Sequence, residues 1–508
     1  IGRGEDMQIT TYLEKSMESE LSANVIDLCP VGALTSKPYV FEARPWELKK
    51  TETIDVMDAV GSNIRVDTYG WEVKRVLPKI NEDINEEWIS DKTRYACDGL
   101  KNQRLDTPLI KINNKLENSN WDGALKLISE KIKNTECDKI AGFTGDLTNM
   151  ETLFIAKEFF NKVINSKNLE SRTKNSYINT SKRENYLFNS SINGIENSDL
   201  ILLIGANPRF EATILNARIR KSYLNNKTKI YSFGNIGDQT YPYEVLKNST
   251  ETIKDLVEKK IKLSDQIIKA QNPIIIIGQS TLKLKSSEYI CESIMKFLKD
   301  NNKINSEWNA FNILSNNAST IASYDFGIIS SNYSNNVLSK LNNGQFELVF
   351  LFGQDDLTFN KKKEFIVYIG SHGDKGAEIA DIILPGAAFT EQDAHYTNLE
   401  GHVQKAYQAS YPPGNAKEDW EIINSLSLMI KNKKIYQNKD ELVDSMFNFL
   451  KMKKPNQINA AQDSIFVSES IVLDPVDYYY SNVIARSSYT MTQCRNEKLK
   501  VKKTGTEG

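Results

Sequence analysis

Short, continuous apolar runs constrain the fold of this 508-residue sequence more than any other feature. Each run ends at Gly or Asn, and a segment of helical length with periodic apolar residues follows it. Strands buried on both faces have this continuous apolar character, and their alternation with helices is typical of parallel βαβ units. The runs lie at 139–145, 199–208, 229–235, 273–280, 347–356 and 365–374. The sequence therefore predicts an α/β body of parallel βαβ units.

Two local signals indicate elements outside these runs. Apolar positions alternate through residues 62–78 around Tyr69-Gly70, which predicts a β-hairpin in a small β-rich module before the body. Further along, Thr148 with Glu151 three residues later fits a capping box, and apolar residues at helical spacing follow. We therefore expect a helix that begins near residue 150.

Charge and hydropathy exclude two large classes of protein. Lys and Arg total 64 against 66 Asp and Glu, and the resulting net charge of -2 gives no electrostatic basis for a nucleic-acid binder. No apolar run approaches the roughly 18 residues that a membrane-spanning helix needs. Neither a dedicated nucleic-acid partner nor a membrane span is expected.

The cysteines and histidines restrict the metal chemistry that the chain could carry. No two of the five cysteines form a CxxC pair, and all three histidines lie in one stretch, so a self-contained zinc or four-cysteine site is not expected. The cysteines are Cys29, Cys97, Cys137, Cys291 and Cys494. Only Cys29 has an informative neighbour, because a Cys-Pro pair often closes a [4Fe–4S] site. From the residues alone, a buried and inert Cys29 remains the alternative.

Long stretches of the sequence resemble one known family. They cover the chain nearly from end to end and lie at 2–15, 24–52, 53–66, 78–105, 202–224 and 372–404. They include NVIDLCPVGALTSKPYVFEARPWELKKTE and HGDKGAEIADIILPGAAFTEQDAHYTNLEGHVQ. Through these stretches the chain resembles the large iron–sulfur subunit of respiratory complex I, the 75 kDa-type subunit of NADH:ubiquinone oxidoreductase.

The resemblance gives Cys29 a role. In that family the cysteine of the CPVGALT motif is the fourth ligand of a [4Fe–4S] cluster, and Cys29 holds this position here. The region that carries the other three ligands, and the ligands of two further clusters, has no counterpart upstream of Ile1. The resemblance therefore implies a shared cluster, whose other three thiolates come from another polypeptide or from a part of this one outside the sequence.

The resemblance also implies that the β-rich module, residues 51–110, has lost a cluster. Bacterial relatives bind an additional [4Fe–4S] cluster there through four cysteines. Those positions fall here on Asp55, Asp58, Ser62 and Ser90, whose hard oxygen atoms are a poor substitute for thiolate sulfur around iron. Cys97 is displaced from the pattern and is expected to be structural.

The body resembles the molybdopterin-dependent oxidoreductases through residues 148–160 and 202–212. Those enzymes bind molybdenum through a Cys, selenocysteine, Ser or Asp, and in formate-dehydrogenase-like members the ligand lies between these two segments. No cysteine lies between them here, and Ser171 and Ser176 lack a flanking signature. We therefore expect neither molybdenum nor pterin on this chain.

Three other polar features receive no catalytic role. The loop 205–208 precedes a helix and could hold an anion, but no GxGxxG or Walker sequence accompanies it. The helix face after this loop is basic and is expected to be solvated or to contact another subunit. Its residues are Arg209, Arg218, Arg220 and Lys221. The polar region with His372, His395 and His402 is assigned no ligand, and whether it binds anything stays open.

Four parts are predicted along the chain. Residues 1–50 form the end of the ferredoxin-like [4Fe–4S] region, and residues 51–110 form the β-rich module without its cluster. Residues 111–430 form the molybdopterin-oxidoreductase-like α/β body, and residues 431–508 form a C-terminal linker and tail.

The resemblance implies a subunit of the complex I peripheral arm, which helps carry electrons from NADH and flavin to ubiquinone and serves as an assembly scaffold. No independent catalytic site is expected. The expected partners are other arm subunits, including the flavin-bearing subunit and the polypeptide with the missing cluster cysteines. The expected location is the matrix side of the mitochondrial inner membrane. The alternatives are a molybdopterin-type oxidoreductase similar to formate dehydrogenase and a purely structural subunit.

Overall fold

A small antiparallel sheet forms the β-rich module. The computed structural model describes residues 3–6, 17–329, 336–452 and 464–503. The first elements are α1 (Asn24–Leu28), β1 (Lys49–Ile54), β2 (Asn63–Tyr69), β3 (Glu72–Pro78) and α2 (Asp91–Tyr95). Strand β2 pairs antiparallel with both β1 and β3, and Gly70 between β2 and β3 has a φ of 58°. The predicted hairpin is confirmed.

The body contains two larger sheets and the helices around them. Its first elements are β4 (Leu109–Ile112), β5 (Lys115–Asn118), α3 (Trp121–Lys133), β6 (Ile140–Thr144), α4 (Met150–Phe159) and β7 (Leu169–Glu170). Next come β8 (Leu200–Ile204), α5 (Pro208–Glu211), α6 (Thr213–Asn226), β9 (Lys229–Phe233), β10 (Glu244–Leu246), α7 (Thr250–Val257), α8 (Lys262–Lys269), β11 (Pro273–Ile277), α9 (Gln279–Leu282), α10 (Ser287–Asp300) and β12 (Phe311–Ile313).

The remaining elements first complete the sheet that contains β4 to β7, and the last helices then pack against the β-rich module. They are α11 (Thr320–Phe326), α12 (Val337–Asn342), β13 (Leu348–Phe352), β14 (Phe365–Gly370), α13 (Lys375–Ile379), β15 (Ile382–Pro385), β16 (Ala394–Thr397), β17 (Val403–Ala406), α14 (Asp419–Lys431), α15 (Lys439–Met452), α16 (Val483–Ser487) and α17 (Tyr489–Lys503). Across the described ranges, no helix is both long enough and apolar enough to cross a membrane.

Both large sheets are built mainly from parallel strands. The five-stranded sheet has the order β10-β9-β8-β11-β12, and every pairing in it is parallel. The seven-stranded sheet has the order β5-β4-β15-β14-β13-β6-β7, in which β4 and β5 add an antiparallel edge to five parallel strands. The predicted α/β body is confirmed, because the six apolar runs supply β6, β8, β9, β11, β13 and β14.

Burial on both faces explains why these strands are continuously apolar. Ile274, Ile275, Ile276 and Ile277 of β11 have no exposed surface. Because successive side chains of a strand point to opposite faces, Ile275 packs in one apolar cluster with α7, α8 and α10, whereas Ile276 packs in another with α6. Helices therefore cover both faces, as a parallel sheet requires.

Helix α4 begins near residue 150, as predicted, but the capping box is wrong. The N-cap residue is Asn149, whose side chain accepts a hydrogen bond of 2.8 Å from the backbone N–H of Thr152. The Thr148 hydroxyl instead donates to the carbonyl of Phe352 at 3.1 Å. Thr and Asn are both good N-caps, and here the neighbouring strand β13 supplies Thr148 with another partner.

The chain after residue 464 crosses both regions. The backbone of Ile471 donates to Asn248 at 2.9 Å, beside the five-stranded sheet. The Tyr478 hydroxyl accepts from the backbone of Lys92, and helix α16 packs against the module, where the carbonyl of Ile484 lies against Gly99. The four-part division stays a prediction, but this tail is an integral part of the packed structure.

Candidate iron–sulfur site

Cys29 directly follows helix α1 at the start of a tight loop. The backbone N–H of Leu34, opposed by burial and supported by the N–H groups of Val31, Ala33 and Gly32, lowers the pKa of the Cys29 thiol. Gly32 has a φ of 66°, a left-handed conformation that glycine adopts without strain. Because thiolate is the form that binds iron, this loop favours the ligand state of Cys29.

The other cysteines have different surroundings. Burial raises the pKa of the Cys97 thiol to about 12 and that of the Cys291 thiol to about 12. Cys494 is exposed, and all five cysteines are free. Within residues 3–6, 17–329, 336–452 and 464–503, no three His, Cys, Asp or Glu side chains are placed to hold a metal ion together.

Glu20 anchors the segment that leads to Cys29. Its carboxylate forms ion pairs with Arg209 at 2.6 Å and with Lys498 at 3.2 Å. Its backbone carbonyl accepts from the N–H of Asp91 at 2.8 Å and from the Tyr478 hydroxyl at 3.2 Å. The side chain is buried. One residue thus joins the segment before α1 to the module, the body and the tail.

The four positions that the family resemblance assigned to a lost cluster, Asp55, Asp58, Ser62 and Ser90, are all buried. The carboxylate of Asp55 accepts from the Thr93 hydroxyl at 2.8 Å, and the Ser90 and Thr93 hydroxyls lie 2.7 Å apart. The backbone N–H of Asp55 donates to the carbonyl of Ser62 at 2.9 Å. The Asp58 carboxylate accepts from the backbone of Val60 at 3.0 Å. Hydrogen bonds within the chain therefore engage the carboxylates of Asp55 and Asp58 and the hydroxyl of Ser90.

Burial dominates the electrostatics of this group. Burial, and then the neighbouring charge of Asp58, raises the pKa of Asp55 to about 7. Burial also raises the pKa of Asp58, while the ammonium group of Lys92 opposes the shift. The ammonium group of Lys92 is thus the cation beside Asp55 and Asp58, and none of the four residues Asp55, Asp58, Ser62 and Ser90 carries a sulfur atom.

A polar cleft of about 260 Å³ lies where the carboxyl ends of several parallel strands meet. Asp146 after β6, Gln279 after β11 and Asn316 after β12 contribute to its wall. Ligands of open α/β sheets bind at such edges. Here Asp474 of the tail enters the cleft, where it pairs with Lys283 and lies 3.5 Å from Lys174.

The two serines considered as metal ligands lie beside a smaller cavity of about 200 Å³. The Ser171 hydroxyl donates to the carbonyl of Ile328 at 2.9 Å. Ser176 is buried, and its carbonyl accepts from the guanidinium of Arg172 at 2.8 Å. Neither residue is presented alone to an open site.

The loop 205–208 is closed to an anion. The backbone N–H of Asn207 donates to the Glu211 carboxylate at 2.8 Å, so the chain itself supplies the negative charge at this helix start. A side chain at Gly205 would lie 2.2 Å from the Thr281 hydroxyl, so the loop is packed tightly.

The prediction of a solvated or subunit-contacting basic face is wrong for two of its residues. Arg218 is buried and pairs with Glu196, and Arg209 pairs with Glu20. Sequence periodicity placed these residues on one face but could not show that the β-rich module and its neighbours cover that face.

The three histidines have different surroundings. Burial lowers the pKa of His372 to about 3, so its ring is neutral. Its Nε2 donates to the Gly99 carbonyl at 3.0 Å, which leaves Nδ1 to accept from Ser371 at 2.8 Å. His395 contacts the Glu151 carboxylate at 2.5 Å, and the His402 side chain is 73% exposed.

Three family models match successive parts of the chain. Residues 1–35 match the ferredoxin-like domain of NADH-quinone oxidoreductase subunit 3. Residues 48–98 match the 4Fe-4S domain of NADH-ubiquinone oxidoreductase NDSU1/NuoG-like proteins. Residues 104–428 match the molybdopterin oxidoreductase family.

Relatives that match most of the chain agree with these family models. The mitochondrial NADH-ubiquinone oxidoreductase 78 kDa subunit of Candida albicans is 43% identical, over 97% of this chain and 70% of that protein. The NADH-ubiquinone oxidoreductase 75 kDa subunit of Reclinomonas americana is 42% identical, over 97% of this chain and 75% of that protein. A bacterial NADH-quinone oxidoreductase subunit, from Rickettsia bellii, is 42% identical, over 99% of this chain and 74% of that protein.

The fold and the matches define an iron–sulfur subunit with a molybdopterin-oxidoreductase body. The sequence relatives specify it further. The chain belongs to the family of the 75/78 kDa subunit of NADH:ubiquinone oxidoreductase, respiratory complex I.

Proposed function

We propose that this chain works in the peripheral arm of complex I and that Cys29 supplies one thiolate to a shared [4Fe–4S] cluster. The observation that carries the proposal is the position of Cys29 directly after α1, within residues 1–35 that match the ferredoxin-like domain of NADH-quinone oxidoreductase subunit 3. Backbone N–H groups of its loop, that of Leu34 first, lower the pKa of its thiol. Hydrogen bonds to a ligand sulfur also tune the reduction potential of a cluster. The other three thiolates come from outside the described residues.

The cluster would supply one-electron transfer between the flavin that NADH reduces and ubiquinone. The chain's own contribution is to hold the Cys29 sulfur as a thiolate, to direct backbone N–H groups at it and to fix its position. It makes and breaks no substrate bond, so it acts as part of the oxidoreductase without a catalytic site of its own.

We further propose that the body carries neither molybdenum nor pterin and acts as a scaffold. The cleft at the sheet edges is small and already contains the carboxylate of Asp474 with its lysine partners. This internal ion pair occupies the region where an open α/β sheet would bind an anionic ligand.

The proposed setting is the matrix side of the mitochondrial inner membrane, peripheral to the bilayer. The proposed partners are the flavin-bearing subunit and the polypeptide that carries the remaining cluster cysteines. The mitochondrial relatives in fungi support this setting.

Replacement of Cys29 tests the cluster proposal in the assembled complex. We expect Cys29→Ala to remove the EPR signal of one [4Fe–4S] cluster and to lower the iron content accordingly. The matched control is Cys494→Ser, which changes an exposed cysteine and should leave every cluster signal in place. A complete set of signals in the Cys29→Ala complex would contradict the proposal.

Metal and pterin analysis tests the scaffold proposal. We expect purified complex to contain iron but neither molybdenum nor extractable pterin in proportion to this chain. Stoichiometric molybdenum would favour the alternative of a molybdopterin-type oxidoreductase.

A further inference from the structure

The helix that presents Cys29 cannot be stable by its own hydrogen bonds. Helix α1 has five residues, and its N-cap residue Ala23 makes no side-chain capping bond. A helix of one turn is unstable in isolation because nucleation costs more entropy than one turn of hydrogen bonds returns. The position of Cys29 therefore depends on contacts between α1 and the rest of the chain.

Those contacts come from the β-rich module. The Asp91 carboxylate accepts from the Ala23 backbone at 2.9 Å and from the Ser22 hydroxyl at 2.6 Å. Asn24 donates to the carbonyl of Ile89 at 2.8 Å. Asp91 begins helix α2, so the start of one short helix caps the start of the other.

Arg94 of α2 makes the strongest contact with α1. Its guanidinium donates to both carboxylate oxygens of Asp27, at 2.5 Å and 3.3 Å, and to the Asn24 side chain at 3.2 Å. The side chain of Arg94 is 5% exposed, whereas that of Asp27 is 32% exposed. A bidentate pair fixes orientation as well as distance, so Arg94 holds α1 at two of its residues.

We propose that Arg94 is a positioning residue for the Cys29 thiolate. Through Arg94, the β-rich module would fix the position of a ligand of a cluster that the module itself does not bind. This inference rests on the proposed role of Cys29 as a cluster ligand. Asp27 lies two residues before Cys29, so any movement of Asp27 is passed directly to the ligand loop.

The same pair balances charge beside the cluster. Removing the guanidinium leaves the Asp27 carboxylate uncompensated, and removing the carboxylate leaves the guanidinium uncompensated. A reduced cluster carries one more negative charge than an oxidised one, so a nearby anion disfavours reduction and a nearby cation favours it. The two substitutions should therefore shift the reduction potential in opposite directions, which a general loss of packing would not do.

The test uses the intact complex and EPR-monitored redox titration of the cluster that Cys29→Ala removes. We expect Arg94→Gln to shift the midpoint potential of this cluster to more negative values and to broaden its signal. Asp27→Asn should shift the potential to more positive values. Arg94→Lys keeps the positive charge but loses the planar guanidinium. Its midpoint potential should therefore stay close to that of the wild type, whereas its EPR signal should still be broadened.

Arg104→Gln is the matched control. Arg104, whose side chain is about as buried as that of Arg94, forms a bidentate pair with Glu391, and the described hydrogen bonds and ion pairs of both residues lie away from α1. It should lower thermal stability and leave the potential and line shape of the cluster unchanged.

The possible outcomes separate this inference from the proposed function. If Cys29→Ala leaves all clusters intact, the proposed function fails. If Cys29→Ala removes a cluster but the Arg94 and Asp27 variants leave its potential and line shape unchanged, only the positioning role fails. If Arg94→Gln blocks assembly, the Asp27→Asn potential decides, because a positive shift supports the inference and an unchanged value overturns it.

Discussion

The carboxylate of Asp55 accepts a 2.8 Å hydrogen bond from the hydroxyl of Thr93, deep inside the β-rich module. This bond joins the segment after β1 to helix α2, the helix that holds α1 and therefore Cys29. At positions that the family resemblance assigns to cluster ligands, this chain therefore has a hydrogen-bonded link between strand and helix. The link includes an ionisable group, so its strength should depend on pH.

The first prediction concerns this pH dependence. The pKa of Asp55 is raised from an ordinary 3.8 to about 7, so the folded chain retains the proton where the unfolded chain has lost it. The contribution of Asp55 to stability is therefore present at low pH and is lost as pH rises from about 4 to about 7. In Asp55→Asn this loss should disappear, so the variant should gain stability relative to the wild type toward pH 8, measured by urea unfolding of the purified chain.

Asp67→Asn is the control for Asp55→Asn, because Asp67 is also a buried aspartate of the module. Its carboxylate accepts from Arg65 and Arg75, each at 2.8 Å. The Asn variant leaves both guanidinium groups without their shared partner and should be destabilised throughout this pH range. Identical pH profiles for Asp55→Asn and the wild type would show that Asp55 does not hold a proton in the folded chain.

The second prediction concerns His372, whose effect has the opposite sign. Its pKa is lowered from 6.5 to about 3, so the unfolded chain takes up a proton below about pH 6.5 while the folded chain does not. The stability from His372 is present above pH 6.5 and is lost as pH falls toward 3. His372→Gln should reduce the decline in unfolding free energy between pH 6.5 and pH 4, measured by urea titration.

The exposed His402 provides the comparison for His372. His402→Gln should leave the unfolding curve unchanged at each pH. An equal decline for His372→Gln and the wild type would be inconsistent with a neutral buried ring at position 372.

The third prediction concerns the buried pair of Arg104 and Glu391. Arg104 donates to the two carboxylate oxygens at 2.5 Å and 2.6 Å and also to the carbonyl of Ser371 at 3.0 Å. Removing one partner leaves a buried charge, which typically costs about 3–5 kcal/mol. Arg104→Gln should therefore lower the unfolding free energy by roughly this amount in urea titrations.

The double variant with Glu391→Gln should recover part of that loss, because it removes the second charge as well. A double variant as unstable as the sum of both single variants would indicate that the residues act independently.

The fourth prediction concerns Gly145, which follows strand β6. A Cβ atom there would lie 1.7 Å from the carbonyl oxygen of Gly353 after β13, and backbone cannot yield as a flexible side chain can. Gly145→Ala should cost about 1–3 kcal/mol or more, as overpacking does. Thermal unfolding of the purified chain would measure the loss.

Gly373→Ala is the matched control, because its Cβ would meet no atom closer than 3.7 Å. It should leave the melting temperature nearly unchanged. Equal melting temperatures for the two variants would show that the ends of β6 and β13 can separate without cost.

Many strands of the fold could be predicted because a strand buried on both faces is a continuous run of apolar residues in the sequence. The run at 273–280 identified β11 without reference to any other part of the chain. The order of strands could not be predicted, since β13 lies between β6 and β14 although most of the body separates β6 from β13 in sequence. Strand order depends on which apolar faces pack together, and local periodicity carries no information about it.

The amino-acid sequence by itself determined the strands of the body, the Cys29-Pro30 step and the presence of oxygen-bearing side chains at Asp55, Asp58, Ser62 and Ser90. These are properties of residue type and spacing. Only the tertiary structure decided that Arg94 holds the helix before Cys29 and that Asp474 enters the cleft at the sheet edges. Such pairings join residues far apart in the chain, and their partners are fixed by the packing of whole elements rather than by any local preference.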